Sequence, residues 1–145
     1  MFCMEGAQTN RMPARCQRLA CDDRHRVIAD AHTDLLLELS YREHALGEDD
    51  VFARTWLPLL ETGGVALQVC PVYVDVRVQP EGSLRESLRG VASFHRALRE
   101  NADRVVQVRT AADLDAVESG ERVGLMLSLE GVEQFGVEIW PADVF

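Results

Sequence analysis

Four short apolar segments alternate with helical segments along most of the chain, and this alternation limits the folds that the chain can adopt. A short apolar run bounded by polar or turn residues is typical of a buried strand. The predicted strands cover residues 26–32, 65–76, 105–108 and 123–129. The order β-α-β-α-β-α-β indicates an α/β fold in which four parallel strands are joined by helical crossovers.

The longest predicted helix begins near Ser83, because Ser83 and Glu86 have the spacing of a capping box. Apolar residues then follow at the spacing of a helix and predict one buried face. The residues of this face are Leu84, Leu88, Val91, Phe94 and Leu98. The segment is therefore predicted to form an amphipathic helix between the second and third strands.

Two shorter helices are predicted beside it. One covers residues 56–64, where Pro58 fits the first turn of a helix. The other follows Thr110, whose spacing to Asp113 repeats the capping pattern. Residues 40–50 are polar and are predicted to form a loop.

The first 24 residues show neither helical nor strand periodicity and are predicted to form a disordered tail. They also lack the apolar core of a secretory signal peptide. No stretch of the sequence approaches the roughly 18 apolar residues that a membrane-spanning helix needs. We therefore expect one domain over residues 25–145 and no membrane segment.

The net charge and the cysteine content restrict the kinds of partner and the cellular compartment that we expect for the protein. The net charge of −9 disfavours binding to nucleic acid, which depends on neutralising phosphates. The cysteines lack metal-binding spacing and are too few for a disulfide scaffold; they are Cys3, Cys16, Cys21 and Cys70. Free thiols in a reducing compartment are expected, which predicts a cytoplasmic protein.

Candidate metal ligands occur at the ends of two predicted strands. His32 and Asp34 end the first strand, and in extended chain two residues that are two positions apart point to the same side. Glu130 ends the fourth strand. Functional residues of parallel α/β proteins gather at the carboxyl ends of strands. These three residues are therefore predicted to bind a metal ion. The alternatives are a surface or core-packing role for His32, a helix-capping role for Asp34 and a solvated role for Glu130.

The segments that carry these residues resemble a known family. Residues 27–35, Val-Ile-Ala-Asp-Ala-His-Thr-Asp-Leu, resemble the opening motif of the membrane (renal) dipeptidase family, zinc peptidase family M19. Residues 63–74 are similar to the second strand of that family and the double glycine before it. Residues 128–131, Ser-Leu-Glu-Gly, are similar to its Glu-Gly motif. The three segments occur in the family's order and separation.

The resemblance implies a TIM-like (β/α)8 barrel with a two-zinc centre that hydrolyses dipeptides. By position, His32 and Asp34 would bind the first zinc ion, and Glu130 would bridge both ions. Thr33 stands where family members often have Asn, and Val132-Glu133 replaces Gly followed by a polar residue. These differences concern the range of substrates that the resemblance implies and leave the ligand set unchanged.

The length of the chain modifies this expectation. A (β/α)8 barrel needs about 200–250 residues, whereas this chain has 145. We expect the N-terminal half of a barrel, truncated at its C-terminus. The resemblance implies two further histidines, later in the family's sequence, that bind the second metal ion, and this chain has no counterpart of them. The other histidines are expected to be solvated or packing residues: His25, His44 and His95. The chain alone is therefore expected to hold at most one zinc ion and to be inactive.

Two alternative functions follow from the same sequence. A half-barrel leaves sheet edges unpaired, so the chain could be a non-catalytic module that associates into homo-oligomers. A barrel hydrolase of the amidohydrolase type is disfavoured, because such enzymes usually open with His-x-His and this chain has His32-Thr33-Asp34.

Overall fold

The computed structural model of the chain describes residues 28–135. Their strands are β1 (Ile28–Asp30), β2 (Val65–Val72), β3 (Val105–Gln107) and β4 (Val123–Leu129). Their α-helices are α1 (Leu35–His44), α2 (Leu57–Gly63), α3 (Ser83–Glu100) and α4 (Leu114–Glu118). Short 3-10 or π-helical turns lie at Phe52–Trp56, Val76–Val78, Ala111–Asp113 and Glu133–Phe135. The tail predicted over residues 1–24 lies outside the described residues.

The strands form one open, fully parallel sheet with the order β1-β2-β4-β3. The prediction of four parallel strands with helical crossovers is confirmed. β2 pairs with β4 from Leu67 opposite Gly124 to Val72 opposite Leu129. β3 pairs only with the first three residues of β4. The carboxyl ends of β1 and β4 therefore lie on either side of the end of β2.

The buried face of α3 agrees with the predicted one in its C-terminal part, where Val91, Phe94 and Leu98 pack against the core, and differs from it near the start of the helix. Phe94 is fully buried, but Leu84 and Leu88 are exposed. The helix instead buries a neighbouring stripe of mostly small residues, which comprises Ser83, Ser87, Gly90, Ser93, Phe94 and Ala97. Gly90 faces Val72 of β2, and a Cβ added at Gly90 would meet it at an ordinary contact distance of 3.8 Å. The face that packs is therefore rotated toward these small residues and still includes Phe94.

The bounds of the helices also correct two predictions. Ser83 is the first residue of α3 rather than its cap, and its hydroxyl has no hydrogen-bond partner. Residues 40–44 of the predicted loop belong to α1, which buries Leu35, Leu36, Leu39 and Ser40. The predicted capping pattern before α4 is present, because the Asp113 carboxylate accepts hydrogen bonds from the Thr110 N–H and hydroxyl.

A buried polar contact joins α1 to α3. The Ser93 hydroxyl on α3 donates to the Glu43 carboxylate on α1 at 2.7 Å, and Arg96 lies 3.4 Å from the same oxygen. The contact therefore links the last turn of α1 to α3. No helix within residues 28–135 has the length and apolarity to cross a membrane.

Candidate metal centre

The end of β1 is held by two hydrogen bonds that orient the chain at His32. The side chain of Asp30 accepts from the His32 N–H at 3.0 Å, which closes a tight turn. The buried Gln68 on β2 donates to the Asp30 carbonyl at 3.4 Å. The His32 side chain is 56% exposed and reaches the edge of the sheet where β4 also ends.

Asp34 stands at the N-cap position of α1 but does not cap the helix with its side chain. An N-cap aspartate ordinarily accepts a hydrogen bond from a backbone N–H in the first turn. The Asp34 carboxylate makes no such bond and is exposed. The helix-capping alternative for Asp34 therefore lacks support, and the carboxylate is available as a ligand.

Glu130 follows the last residue of β4, and its N–H donates to the Val72 carbonyl at 3.1 Å. Gly131 comes next with φ +79°, and a Cβ added there would collide with the Glu133 carboxylate. The chain therefore turns away from the sheet immediately after Glu130. The Oε2 atom of Glu130 is buried without a hydrogen-bond partner, and it lies 3.4 Å from Nε2 of His32.

The three side chains converge on one point at the carboxyl ends of β1 and β4. A ligand atom of each of His32, Asp34 and Glu130 lies within 4.8 Å of the other two. Two carboxylates at this distance repel each other unless a cation lies between them. One imidazole nitrogen and two carboxylate oxygens are donors that zinc accepts. The donor set and the unpartnered buried oxygen of Glu130 therefore fit a zinc ion.

The sequence places the chain among known proteins. It matches the membrane dipeptidase family, peptidase family M19, over residues 17–140. The chain belongs to the M19 family. A search of curated proteins found no match.

The fold of the M19 chain is similar to part of a solved structure. That structure is the dipeptidase AC, described as a metallopeptidase of family M19, and the TM-score is 0.71 at 20% sequence identity. The match covers 82% of this chain and 39% of the dipeptidase chain. The open sheet and its helices thus correspond to part of a TIM-like barrel, and the chain spans well under half the length of that relative.

The remaining candidate residues of the M19 chain lie outside this cluster. His44 ends α1, His95 lies on α3 beside Phe94, and both are exposed. Cys70 is a free, buried thiol, and burial raises its pKa to about 12, with the charge of Asp30 as a smaller cause. A thiol with this pKa is protonated at neutral pH and is a poor nucleophile. His25 lies outside the described residues.

Two buried glutamines near the cluster were not predicted from the sequence. Gln68 supports the end of β1, and Gln134 contacts the end of β2 and the turn after β4. Gln68 could have been identified from the sequence, because a polar residue inside an apolar strand requires a hydrogen-bond partner. Gln134 lies outside the strands, in a segment of mixed polarity, where a polar residue is not unusual.

Proposed function

We propose that this chain is the N-terminal part of a zinc-dependent dipeptidase, and that His32, Asp34 and Glu130 are its metal ligands. The observation that carries the proposal is the convergence of these three side chains at the carboxyl ends of β1 and β4 in an M19 chain. Residues at this end of a parallel sheet are the usual source of active sites in barrel enzymes.

Each of the three side chains has a distinct role in the proposed site. The His32 imidazole supplies a nitrogen, and Asp34 supplies a carboxylate oxygen that no helix cap consumes. Glu130 supplies one oxygen to the same ion and keeps a second oxygen that can face another ion. When bound, zinc supplies Lewis-acid activation of a water molecule and of the carbonyl of the scissile peptide bond.

The proposed substrate is a dipeptide, and the chain alone is proposed to lack activity. Within residues 28–135, His32, Asp34 and Glu130 are enough for one ion. A catalytic zinc normally has about three protein ligands, so a second ion would depend on Glu130 and water. The domain is proposed to cover residues 25–145, and the free thiol of Cys70 fits a cytoplasmic location.

A test of the proposal uses this sequence continued to the length of a complete M19 dipeptidase. Such a protein should hydrolyse dipeptides, lose the activity when zinc is removed by a chelator, and regain it when zinc is restored. His32→Ala should abolish hydrolysis without unfolding, whereas His44→Ala should leave hydrolysis unchanged. Hydrolysis that survives in the zinc-free protein would overturn the proposal.

The alternative of a self-associating, non-catalytic module rests on a different observation. β3 covers β4 only as far as Leu125, so the outer edge of Met126–Leu129 has no strand beside it within residues 28–135. Unpaired strand edges are templates for pairing with another chain. Sedimentation over a range of concentrations distinguishes the two functions, because this alternative predicts a concentration-dependent oligomer, and a monomer at all concentrations contradicts it.

A further inference from the structure

The side chain of Gln134 is buried between the end of β2 and the turn that follows β4. It is 3% exposed, and it lies in the short 3-10 turn four residues after Glu130. Its Nε2 atom lies 3.0 Å from the Val72 carbonyl oxygen and 3.4 Å from the Glu130 carbonyl oxygen. One side chain therefore joins β2 to the main chain of a proposed metal ligand.

The chemistry of these partners fixes the orientation of the amide. Both partners are carbonyl oxygens, which only accept hydrogen bonds, so the NH2 group of Gln134 must face them. The Val72 carbonyl also accepts from the Glu130 N–H at 3.1 Å, which uses both of its lone pairs. The Oε1 atom of Gln134 is buried without a hydrogen-bond partner. An apolar side chain of similar size would avoid this cost, so the two donated bonds are the distinctive contribution of a glutamine here.

The location of these bonds matters because regular pairing stops at this point. Leu129 opposite Val72 is the last register pair between β4 and β2. Beyond it, the left-handed residue Gly131 turns the chain away from the sheet. The Glu130 N–H is held by Val72, and the Glu130 carbonyl is held by Gln134. With both peptide groups of Glu130 held, the position of its Cα and the direction of its Cα–Cβ bond are fixed, and the side chain starts from the place where its carboxylate can reach His32 and Asp34.

We propose that Gln134 is a positioning residue, which fixes the main chain of Glu130 and thereby holds the Glu130 carboxylate in place for metal binding. The inference rests on the proposed metal site. Groups that orient a metal ligand from behind typically change metal affinity by about 10–100-fold when they are removed.

The test uses the 145-residue chain and Gln134→Met, which keeps the length of the side chain and removes its donors. Gln79→Met is the matched control, because the Gln79 amide also donates to a backbone carbonyl, that of Val74, but does not contact Glu130. Hydrogen exchange of the Glu130 amide is measured without metal, and Co2+ affinity is measured from the visible absorption of the bound ion. Gln134→Asn, which keeps the amide but is one methylene shorter, provides a second variant if Gln134→Met does not fold.

In Gln134→Met, we expect the Glu130 amide to exchange about tenfold faster, and we expect Co2+ to bind roughly tenfold more weakly. Exchange at Leu125, inside β4, should not change, and Gln79→Met should match the wild type in both measurements. Uniformly faster exchange along β4, or unchanged Co2+ affinity, would overturn the positioning role.

Glu130→Gln separates this inference from the proposed function. If Glu130→Gln weakens Co2+ binding and Gln134→Met does not, the positioning role alone is wrong. If the wild-type chain binds no Co2+, or Glu130→Gln binds it as tightly as the wild type, both the metal site and the role of Gln134 are wrong.

Discussion

Asp34 and Asp113 stand at the starts of helical segments, and their carboxylates have different surroundings. Asp113 accepts hydrogen bonds from the N–H groups of Arg109 and Thr110 and from the Thr110 hydroxyl. The same hydrogen bonds, with the Arg109 N–H first, lower the pKa of Asp113. Asp34 makes no side-chain bond to its helix and lies beside a second carboxylate, that of Glu130. One aspartate therefore stabilises local structure, and the other is available for a metal ion.

Substituting each aspartate by alanine separates these roles. Asp113→Ala should lower the denaturant concentration at the midpoint of unfolding at neutral pH, whereas Asp34→Ala should leave it unchanged or raise it in metal-free protein. A group with a lowered pKa stabilises the folded state above its ordinary pKa of about 4 and loses that contribution as the pH falls. The effect of Asp113→Ala should therefore shrink below about pH 4. A clear loss of stability in Asp34→Ala would restore the capping role.

The thiol of Cys70 should be unreactive in the folded chain. Burial raises its pKa to about 12, so the thiolate that reacts with disulfide reagents is scarce at pH 8. Mass-spectrometric mapping after mild treatment with such a reagent should find Cys70 unmodified, and denaturant should make it reactive. Rapid labelling of Cys70 in the folded chain would contradict the burial of β2.

Among the individual residues, the sequence predicted the three candidate ligands but not the residues that make hydrogen bonds to their main chain or to the strands beside them. His32, Asp34 and Glu130 follow strands, and strand ends are the places where parallel sheets present side chains. Gln134 is distinguished by its tertiary contact with Val72, which no local pattern encodes, together with a local contact to Glu130. The absence of a capping bond at Asp34 likewise became evident only from the geometry of α1.

Among the helices and strands, α3 shows that tertiary packing determines which of two adjacent stripes of a helix is buried. The sequence indicates a stripe of larger apolar residues, and the structure fully buries a neighbouring stripe of mostly small residues. Val91 and Leu98 of the predicted stripe pack at its border, where they are partly buried. Phe94 belongs to both the predicted set and the buried one, whereas Leu88 is 51% exposed. Hydrophobic spacing identified the helix but could not show how near the helix lies to the sheet.

Truncating these two side chains tests the orientation of α3. Phe94→Ala should lower the free energy of unfolding by about 3–5 kcal/mol, because it empties a fully buried site. Leu88→Ala should change it by less than about 0.5 kcal/mol, as is usual for a surface position. Chemical denaturation of the two variants measures both values. Equal losses would show that the helix buries the predicted face instead.

The strands were easier to predict than the helix α1. Apolar, β-branched runs marked all four strands, although β2 ends at Val72 rather than near residue 76. α1 follows Asp34 with no Glu or Gln at the position of a capping box, and Tyr41 and Leu37 on its surface blur the contrast between its faces. Its helical structure is supported by tertiary packing of Leu35, Leu36 and Leu39 rather than by a clear local signal.

For the whole molecule, the spatial order β1-β2-β4-β3 is the feature that brings the candidate ligands together. The alternation of strands and helices predicted parallel strands, but it contains no information on which strands are neighbours. Because β3 lies at the far edge, β4 pairs directly with β2, and Glu130 comes within reach of His32. A sheet in sequence order would have placed β3 between β2 and β4.

The part of the M19 fold present in this chain predicts no dipeptide hydrolysis by the chain alone. The chain corresponds to 39% of the dipeptidase that it matches, and its cluster has donors for one ion. Turnover of a panel of dipeptides should equal that of a His32→Ala variant, with and without added zinc. Turnover that a chelator removes would show that the chain assembles a whole site, for example by pairing two copies.

Zinc binding by the 145-residue chain tests the central claim most directly. Equilibrium dialysis should show one weakly held zinc ion per chain, and this binding should be lost in His32→Ala, Asp34→Ala and Glu130→Gln while circular dichroism stays unchanged. His44→Ala and His95→Ala should bind zinc as the wild type does. Failure to bind zinc, or binding that survives substitution of all three residues of the cluster, would contradict the proposed metal centre.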